Sequence, residues 1–404
     1  MHWIQRRWDY FYNMFPVAGH DIRGWLGFLP HWAVYLIMGV LSIAVLIVVS
    51  IVVWLVFIYL ERRVIGFFQL RWGPNRAGPQ GVLQGIADFI KLLGKESITP
   101  AAADKWVHLL APAVAFIPAL MVVAVIPFNK GAIIADLNIG ILYAIAISSV
   151  AIIGMFMAGW GSANKYALLG AMRAVAQMVS YEVPAVLAVV GVIMVTGSLS
   201  MSSITEAQEV PFILMMPLAF VVYFIASTAE LNRAPLDLME AESELVAGYH
   251  TEYSGMRFAF FYLGEYMAML SSTAIMVTVF FSGWKGWLFP PYLWFLVKMH
   301  LLFIVFLWMR ATLPRVRVDH LMNFAWKFLL PVAFINILIV GVELKIWEDF
   351  PWPLLFLNIP LAGVVVVGWL KLVKLTPART PVERLRRPEA RPAPEARTEV
   401  AAEV

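Results

Sequence analysis

Cysteine is absent from the 404 residues. The chain therefore offers no thiolate for an iron–sulfur cluster, no disulfide and no cysteine-based zinc site. If the chain belongs to a redox system, the metal centres sit in other chains. Charge is scarce as well: 14% of residues are Asp, Glu, Lys or Arg, against 61% hydrophobic, and the mean hydropathy is +0.79. That balance excludes an ordinary soluble domain. Glycine-rich phosphate loops of the Rossmann or P-loop spacing are missing, so nucleotide binding of those kinds is not expected of this chain. Repeats of about 20–50 residues, and the similarity between halves that marks inverted-repeat transporters, are also missing. The N-terminus lacks a short basic region followed directly by an apolar core, so no cleavable signal peptide is expected. The seven histidines (His2, His20, His31, His108, His250, His300 and His320) lack paired ligand spacing and read as interface or packing residues.

What the sequence has in abundance is long apolar runs. Nine approach or exceed the length of about 18 residues at which a helix crosses a bilayer: 31–60, 106–128, 139–160, 178–197, 211–229, 258–282, 291–309, 328–347 and 353–373. The fold class is an all-α polytopic membrane protein with about nine transmembrane helices, an amphipathic interfacial helix and helices in the cytoplasmic loops. Three parts are expected. Residues 1–30, dense in Trp, Tyr and Phe, form an interfacial segment. Residues 31–374 form the transmembrane domain, with large loops at 61–105 and 230–257. Residues 375–404, rich in Pro, Arg, Glu and Ala, form a disordered tail. Lys and Arg concentrate in one alternate set of loops, 61–105, 161–177, 230–257, 310–327 and the tail from 371. That set is expected to be cytoplasmic, which puts the N-terminus outside and the C-terminus inside.

Two cytoplasmic loops hold the informative residues. In the first, GPNRAGP (residues 73–79) is dense in turn formers. Beyond it, Leu83, Ile86, Phe89, Ile90 and Leu93 recur at helical spacing, with Gln84, Asp88, Lys91 and Lys95 opposite. This is an amphipathic helix on the membrane surface, either a plain anchor or the frame of a lateral opening from the lipid. In the second, AELNRAPLDLMEAESELVAGYHTEY (residues 229–253) sets Glu230, Asp237, Glu240, Glu242, Glu244 and Glu252 against a lone guanidinium, Arg233. On a helix, Asp237, Glu240 and Glu244 share a face, and like charges there favour retained protons if buried. A solvated acidic face fits the composition equally, although Leu236, Leu238, Met239, Leu245 and Val246 interleave as in a packed segment. Glu182, Glu265, Lys298 and Glu343 lie in or at the edges of spans. A charge at mid-bilayer costs about 2.5–3.5 kcal/mol on insertion scales, so such groups face protein or water. Lys298 and Glu343 also fit residues that snorkel to the interface.

Three motifs in order, ERRVIGFFQLRWGPNRAGPQGVLQGIADFIKLLGKE, AMRAVAQMVSYEVP and the acidic stretch above, closely resemble the H subunit of respiratory complex I, the proton-translocating NADH:quinone oxidoreductase. The resemblance spans residues 35–347. It implies a bacterial inner-membrane subunit without redox centres, which builds the chamber through which quinone (ubiquinone or menaquinone) arrives and links quinone reduction to proton translocation through a chain of carboxylates. It implies no metal or flavin on this chain. The implied partners are the other complex I subunits, including the peripheral-arm subunit that carries the terminal iron–sulfur cluster and neighbouring small membrane subunits, together with membrane lipid; no nucleic acid is implied. Carried over position by position, the quinone-chamber residues are Glu61, Arg62, Arg71, Asp88, Glu96, Arg310 and Arg315. The proton-coupling residues are Glu182, Glu230, Asp237, Glu240, Glu242, Glu244, Glu252 and Glu265. Departures are Leu236 where many relatives carry Phe, and Met-Ala-Met after Glu265-Tyr266 where an Asn is common. The N-terminal segment, the ninth run and the basic tail exceed the usual eight-span core. Three rivals stay open from the residues alone: the equivalent subunit of a membrane-bound hydrogenase or formate hydrogenlyase, a proton-coupled transporter, and a structural anchor.

Overall fold

The fold was read from a computed structural model, which describes residues 31–239, 246–347 and 355–373. The aromatic segment 1–30, the tail expected from 375, and Glu240, Glu242 and Glu244 lie outside the described residues.

The described chain is helical. In order, α1 spans His31–Phe68, α2 Gln84–Gly94, α3 Lys105–Val123, α4 Gly140–Gly161, α5 Lys165–Thr196, α6 Met201–Ala207, α7 Phe212–Met215 and α8 Pro217–Glu230. There follow α9 Gly255–Phe280, α10 Pro291–Thr312, α11 Val318–Ile346 with a π turn at its middle, and α12 Leu355–Val373. Seven helices among the described residues are long and apolar enough to cross a membrane, and two shorter apolar ones occur at Pro217–Glu230 and Leu357–Lys371. The all-α membrane architecture expected from composition is thus present.

Several boundaries move. The first run is expected to end at residue 60, but α1 continues to Phe68. Glu61, Arg62 and Arg63 do not stop a helix that Val64, Ile65, Phe67 and Phe68 continue, so the first eight expected loop residues, Glu61 and Arg62 among them, are helical. The fifth run is broken: α7 ends at Met215, and Met216 adopts φ −130°, ψ 59° before α8 begins at Pro217. Proline disfavours the α region for the residue preceding it, which accounts for the break. The 14 residues of α8 reach only about 21 Å at 1.5 Å per residue. The loops expected at 161–177 and 310–327 are largely helical, because α5 starts at Lys165 and α11 at Val318.

Local chemistry explains the ends. Asp104 caps α3 by accepting from the backbone N–H of Trp106 and Val107 (3.2 and 3.4 Å), and Asn164 caps α5 through Tyr166 N–H at 2.8 Å. Gly197, with φ 63°, closes α5 in the left-handed conformation. In the GPNRAGPQG turn, Gly81 has φ 81°, and a Cβ there would stand 2.1 Å from the Pro74 carbonyl oxygen.

The helices α3, α4, α5, α8 and α9 form a bundle, with α11 on the outer side of α5, α1 and α10 beside α9, and α2 lying across α9 and α1. Lipid-exposed apolar faces give no directional contact between spans, so close approach of small residues sets the register. A Cβ at Gly154 of α4 would sit 2.5 Å from the Ala115 backbone nitrogen of α3, and one at Gly159 would sit 2.3 Å from Ala171 Cβ of α5. Overpacking of this kind costs about 1–3 kcal/mol. Gly154→Ala should therefore lower the thermal midpoint of the membrane-extracted assembly, whereas Gly39→Ala, which meets nothing within 4 Å, should leave it unchanged. Equal midpoints for the two variants would contradict this account of the α3–α4 crossing.

Candidate functional site

The end of α1, the loop after α8, the first half of α9 and the end of α10 meet around Arg233, the guanidinium set among six carboxylates in the sequence. Its side chain is 5% exposed. Arg233 Nη1 lies 2.8 Å from Glu61 Oε1 of α1, and its Nε lies 3.0 Å from Glu265 Oε1 of α9. The guanidinium also stands over the Tyr266 ring, 4.9 Å from its centroid. The Tyr266 hydroxyl donates to Glu61 Oε2 at 2.7 Å and lies 3.1 Å from the Tyr262 hydroxyl. Arg310, at the end of α10, forms an ion pair with the same Glu61 oxygen that Arg233 engages. Burial disfavours the charged guanidinium, but the Glu265 and Glu61 carboxylates outweigh it and hold the Arg233 pKa well above its ordinary value.

The loop that carries Arg233 is held from the opposite side by Gln177 of α5, itself fully buried. The Gln177 amide nitrogen reaches the carbonyl oxygens of Ala229 and Leu236 at 2.7 Å each and Asn232 Oδ1 at 3.2 Å. Farther along, Arg315 Nη2 pairs with Asp237 Oδ2 at 3.3 Å, and the Val316 N–H donates to the Pro235 carbonyl at 2.9 Å.

Two cavities flank this cluster. One, of about 100 Å³, is lined by Ser148, Glu182, Tyr223, Glu230, Asn232 and Glu265 among others. The Ser149 hydroxyl donates to Glu182, so three acids from α5, α8 and α9 converge on one internal space. The other, of about 380 Å³, is apolar and lies between α1, α2, α3 and α9. Among its wall residues are Trp54, Ile58, Phe89, Phe116 and Leu263. Ile47, Ile51, Ile86 and Phe260 also line it and are themselves 38–44% exposed, so it opens on the outer apolar surface. Its polar corner is the ion pair of Arg62 Nη1 and Asp88 Oδ2 at 2.6 Å, and Gln84 Nε2 donates to Asp88 Oδ1 at 3.0 Å. On the polar side of α2, Gln84 and Asp88 thus face protein while Lys91 and Lys95 are exposed, as are Ile86, Phe89, Ile90 and Leu93 of the apolar side.

Of the residues carried over from the resemblance, Glu61, Arg310 and Glu265 join the cluster, Glu182 and Glu230 share the acidic cavity with Glu265, and Arg62 and Asp88 form the corner of the apolar one. Arg315 and Asp237 pair beside them. Three stand apart. Arg71 is exposed and its Nε donates to Gln69 at 2.6 Å. Glu96 is exposed, and its carbonyl accepts from the Ser254 hydroxyl at 3.1 Å. Glu252 accepts from Asn164 Nδ2 at 2.7 Å at the start of α5. Arg233, Tyr266, Tyr262 and Gln177 join the site without being marked by the resemblance. Arg233 is nevertheless conspicuous in the sequence as a lone cation in an acidic stretch, and Tyr266 as the neighbour of Glu265.

A profile of the NADH dehydrogenase family matches residues 41–341. Proteins named as the H subunit of NADH-quinone oxidoreductase are similar along nearly their whole length. That of Dehalococcoides mccartyi strain CBDB1 is 53% identical over 359 residues, 88% of this chain and 99% of the relative. That of Carboxydothermus hydrogenoformans is 44% identical over 348 residues, 84% of this chain and 99% of the relative. The chain belongs to this H-subunit family. The resemblance seen in the three motifs thus holds across the described spans.

Removing one partner from a buried ion pair costs roughly 3–5 kcal/mol, because the other charge is left uncompensated. Arg233→Met should therefore sharply reduce recovery of the assembled protein from membranes, and Arg233→Lys should reduce it less. A Met variant as stable as the parent would remove Arg233 from this role. A separate expectation concerns His250, half-buried against Tyr249 and Phe258, where desolvation pushes its pKa down to about 4 from 6.5. The unfolded chain then takes up this proton first, so the associated stability is complete above about pH 6.5 and is lost as pH falls toward 4. The thermal midpoint should fall across that window by less in His250→Phe; identical pH profiles would exclude the contribution.

Proposed function

We propose that this chain is the quinone-access membrane subunit of a bacterial proton-translocating NADH:quinone oxidoreductase and links quinone reduction to proton translocation. The observation that carries the reading is the single wall between the two cavities. On α9, Glu265 and Tyr266 are consecutive, so their side chains diverge by about 100°. Glu265 lines the acidic cavity and pairs with Arg233, while Tyr266 bonds Glu61, one residue from the Arg62–Asp88 corner of the apolar cavity. An apolar cavity open to the lipid face suits a long apolar quinone tail, and its charged corner suits the approach of a polar headgroup.

Reduction of a quinone to the quinol takes up two electrons and two protons, and the electrons come from an iron–sulfur cluster on another subunit. The charge that arises at the headgroup would act on Glu61 and Arg62 first. Through Arg233 it would change the pairing of Glu265, and with it the protonation of the Glu182–Glu230–Glu265 group that shares one cavity. Asp237 with Arg315 borders this path, and Glu240, Glu242 and Glu244 continue the acidic stretch that would meet the peripheral arm. Arg71, Glu96 and Glu252 would serve the docking face of that arm. The Lys- and Arg-rich loops favour an N-terminus outside and a C-terminus in the cytoplasm. The relatives' name favours the quinone enzyme over the hydrogenase branch and over a transporter.

Glu230→Gln and Glu265→Gln in the intact complex should each lower NADH-driven quinone reduction or its associated proton release by about tenfold, equivalent to about 1.4 kcal/mol in the coupled step. NADH oxidation by an artificial acceptor at the peripheral arm should be unaffected. Full quinone reduction and full pumping in both variants would refute the coupling role.

A further inference from the structure

At the outer end of the bundle, far along the chain from the cluster around Arg233, three polar side chains are buried among apolar ones. Asn336 and Glu343 of α11, seven residues apart and so on one helix face, are each 4% exposed; Asn358 of α12 is 7% exposed. They line a small cavity, about 20 Å³, whose other walls are Met215, Met216 and Pro217 at the break between α7 and α8 and apolar residues of α11 and α12. No lysine, arginine or histidine is among its lining residues.

The hydrogen bonds fix how these groups point. At the break, Pro217 has no N–H, and Met216 has left the helical conformation. Asn358 Nδ2 donates to the Met215 carbonyl at 2.7 Å and lies 3.4 Å from Glu343 Oε2. The amide nitrogen of Asn358 is thereby assigned, and its Oδ1 is left as an acceptor. Three buried atoms at the cavity have no hydrogen-bond partner among the described residues: Asn358 Oδ1, Glu343 Oε1 and Asn336 Nδ2. Two acceptors and one donor are the complement of a water molecule, which donates twice and accepts. The volume matches as well, since one water needs at least about 10–15 Å³ and two to four polar partners. A bare cation fits the set less well, because Asn336 Nδ2 presents N–H groups to the space.

We propose that Asn336, Glu343 and Asn358 form a binding site for one water molecule, hydrogen bonded to all three side chains and closed by α12. The site gives the ninth apolar helix a polar fastening that its lipid-facing residues cannot supply. It also keeps the Glu343 carboxyl hydrogen bonded inside the membrane domain, apart from the acids of the α5–α8–α9 cavity.

The test is electron cryomicroscopy of the intact complex at a resolution that shows ordered water, prepared once in sodium and once in potassium buffer. The expected result is one spherical peak within hydrogen-bonding distance, about 2.7–3.2 Å, of Asn336 Nδ2, Glu343 Oε1 and Asn358 Oδ1 in both preparations. The same peak should be lost in the complex carrying Asn358→Leu. No peak in the parent complex, or one present only in sodium, would overturn the proposal. A peak that persists unchanged in Asn358→Leu would overturn the part assigned to α12. Should the Leu variant fail to assemble, Asn358→Ser, whose short hydroxyl cannot reach the same point, takes its place with the same expected loss.

Discussion

A charge inside a membrane domain is tolerated only when a counter-charge and further hydrogen bonds replace the water it gave up. Arg233 meets that requirement, and much of this end of the bundle is organised around it. Its two carboxylate partners come from α1 and α9, its aromatic platform from α9, and a second guanidinium on Glu61 from α10. Apolar helices in lipid have little to choose between neighbours, whereas an unpaired guanidinium or carboxylate in the interior is heavily penalised. Directional contacts of this kind select one arrangement of α1, α9 and α10 among the many that hydrophobicity alone would accept. Gln177 extends the same logic to α5, because its amide donates to the carbonyl groups of Ala229 and Leu236 on either side of Arg233.

The same requirement shapes the two cavities. The acidic one sets its three acids with a few hydroxyl, amide and phenol groups among apolar walls, while the larger one is apolar except for Arg62, Asp88 and Tyr262. They are separate in composition and adjacent in space, with α9 between them. Glu265 of α9 faces the acidic compartment, Tyr262 and Leu263 of the same helix face the apolar one, and Tyr266 turns to Glu61. The relation between the cavities is therefore fixed by backbone geometry and needs no mobile loop.

Much of this was legible in the sequence. Apolar run length located the spans, the turn residues of GPNRAGP located the reversal before α2, and the membrane acids Glu182 and Glu265 were marked by their cost. The boundaries were less legible, because a charged residue does not end a helix. Glu61-Arg62-Arg63 reads as the start of a loop, yet the apolar residues after it carry α1 onward to Phe68. The break at Met216-Pro217 was signalled by the proline but hidden inside an apolar run. Partnership was the least legible. That Arg233 engages Glu61 rather than a nearer acid follows from how α1 and α9 stand together, which no local pattern encodes. Likewise Asp88 reads as a solvent-facing residue of an amphipathic helix until Arg62 is seen on the adjoining wall. Lys298, which suited snorkelling, instead donates to the carbonyls of Phe281, Gly283 and Lys285 at 2.6–2.9 Å, and so closes the end of α9.

The spacing of the central ion pairs along the chain bears on how the protein is made. Glu61 lies 172 residues before Arg233 and 249 before Arg310. At synthesis rates of about 5–20 residues per second, α1 leaves the ribosome roughly 10–30 s before the first of these cations exists. During that interval the Glu61 carboxyl has no counter-charge, so the lower end of α1 must stay in the headgroup layer or be sheltered by the insertion machinery. Its final depth is set only when the loop after α8 arrives. The first of the described helices to be translated is thus among the last to be seated.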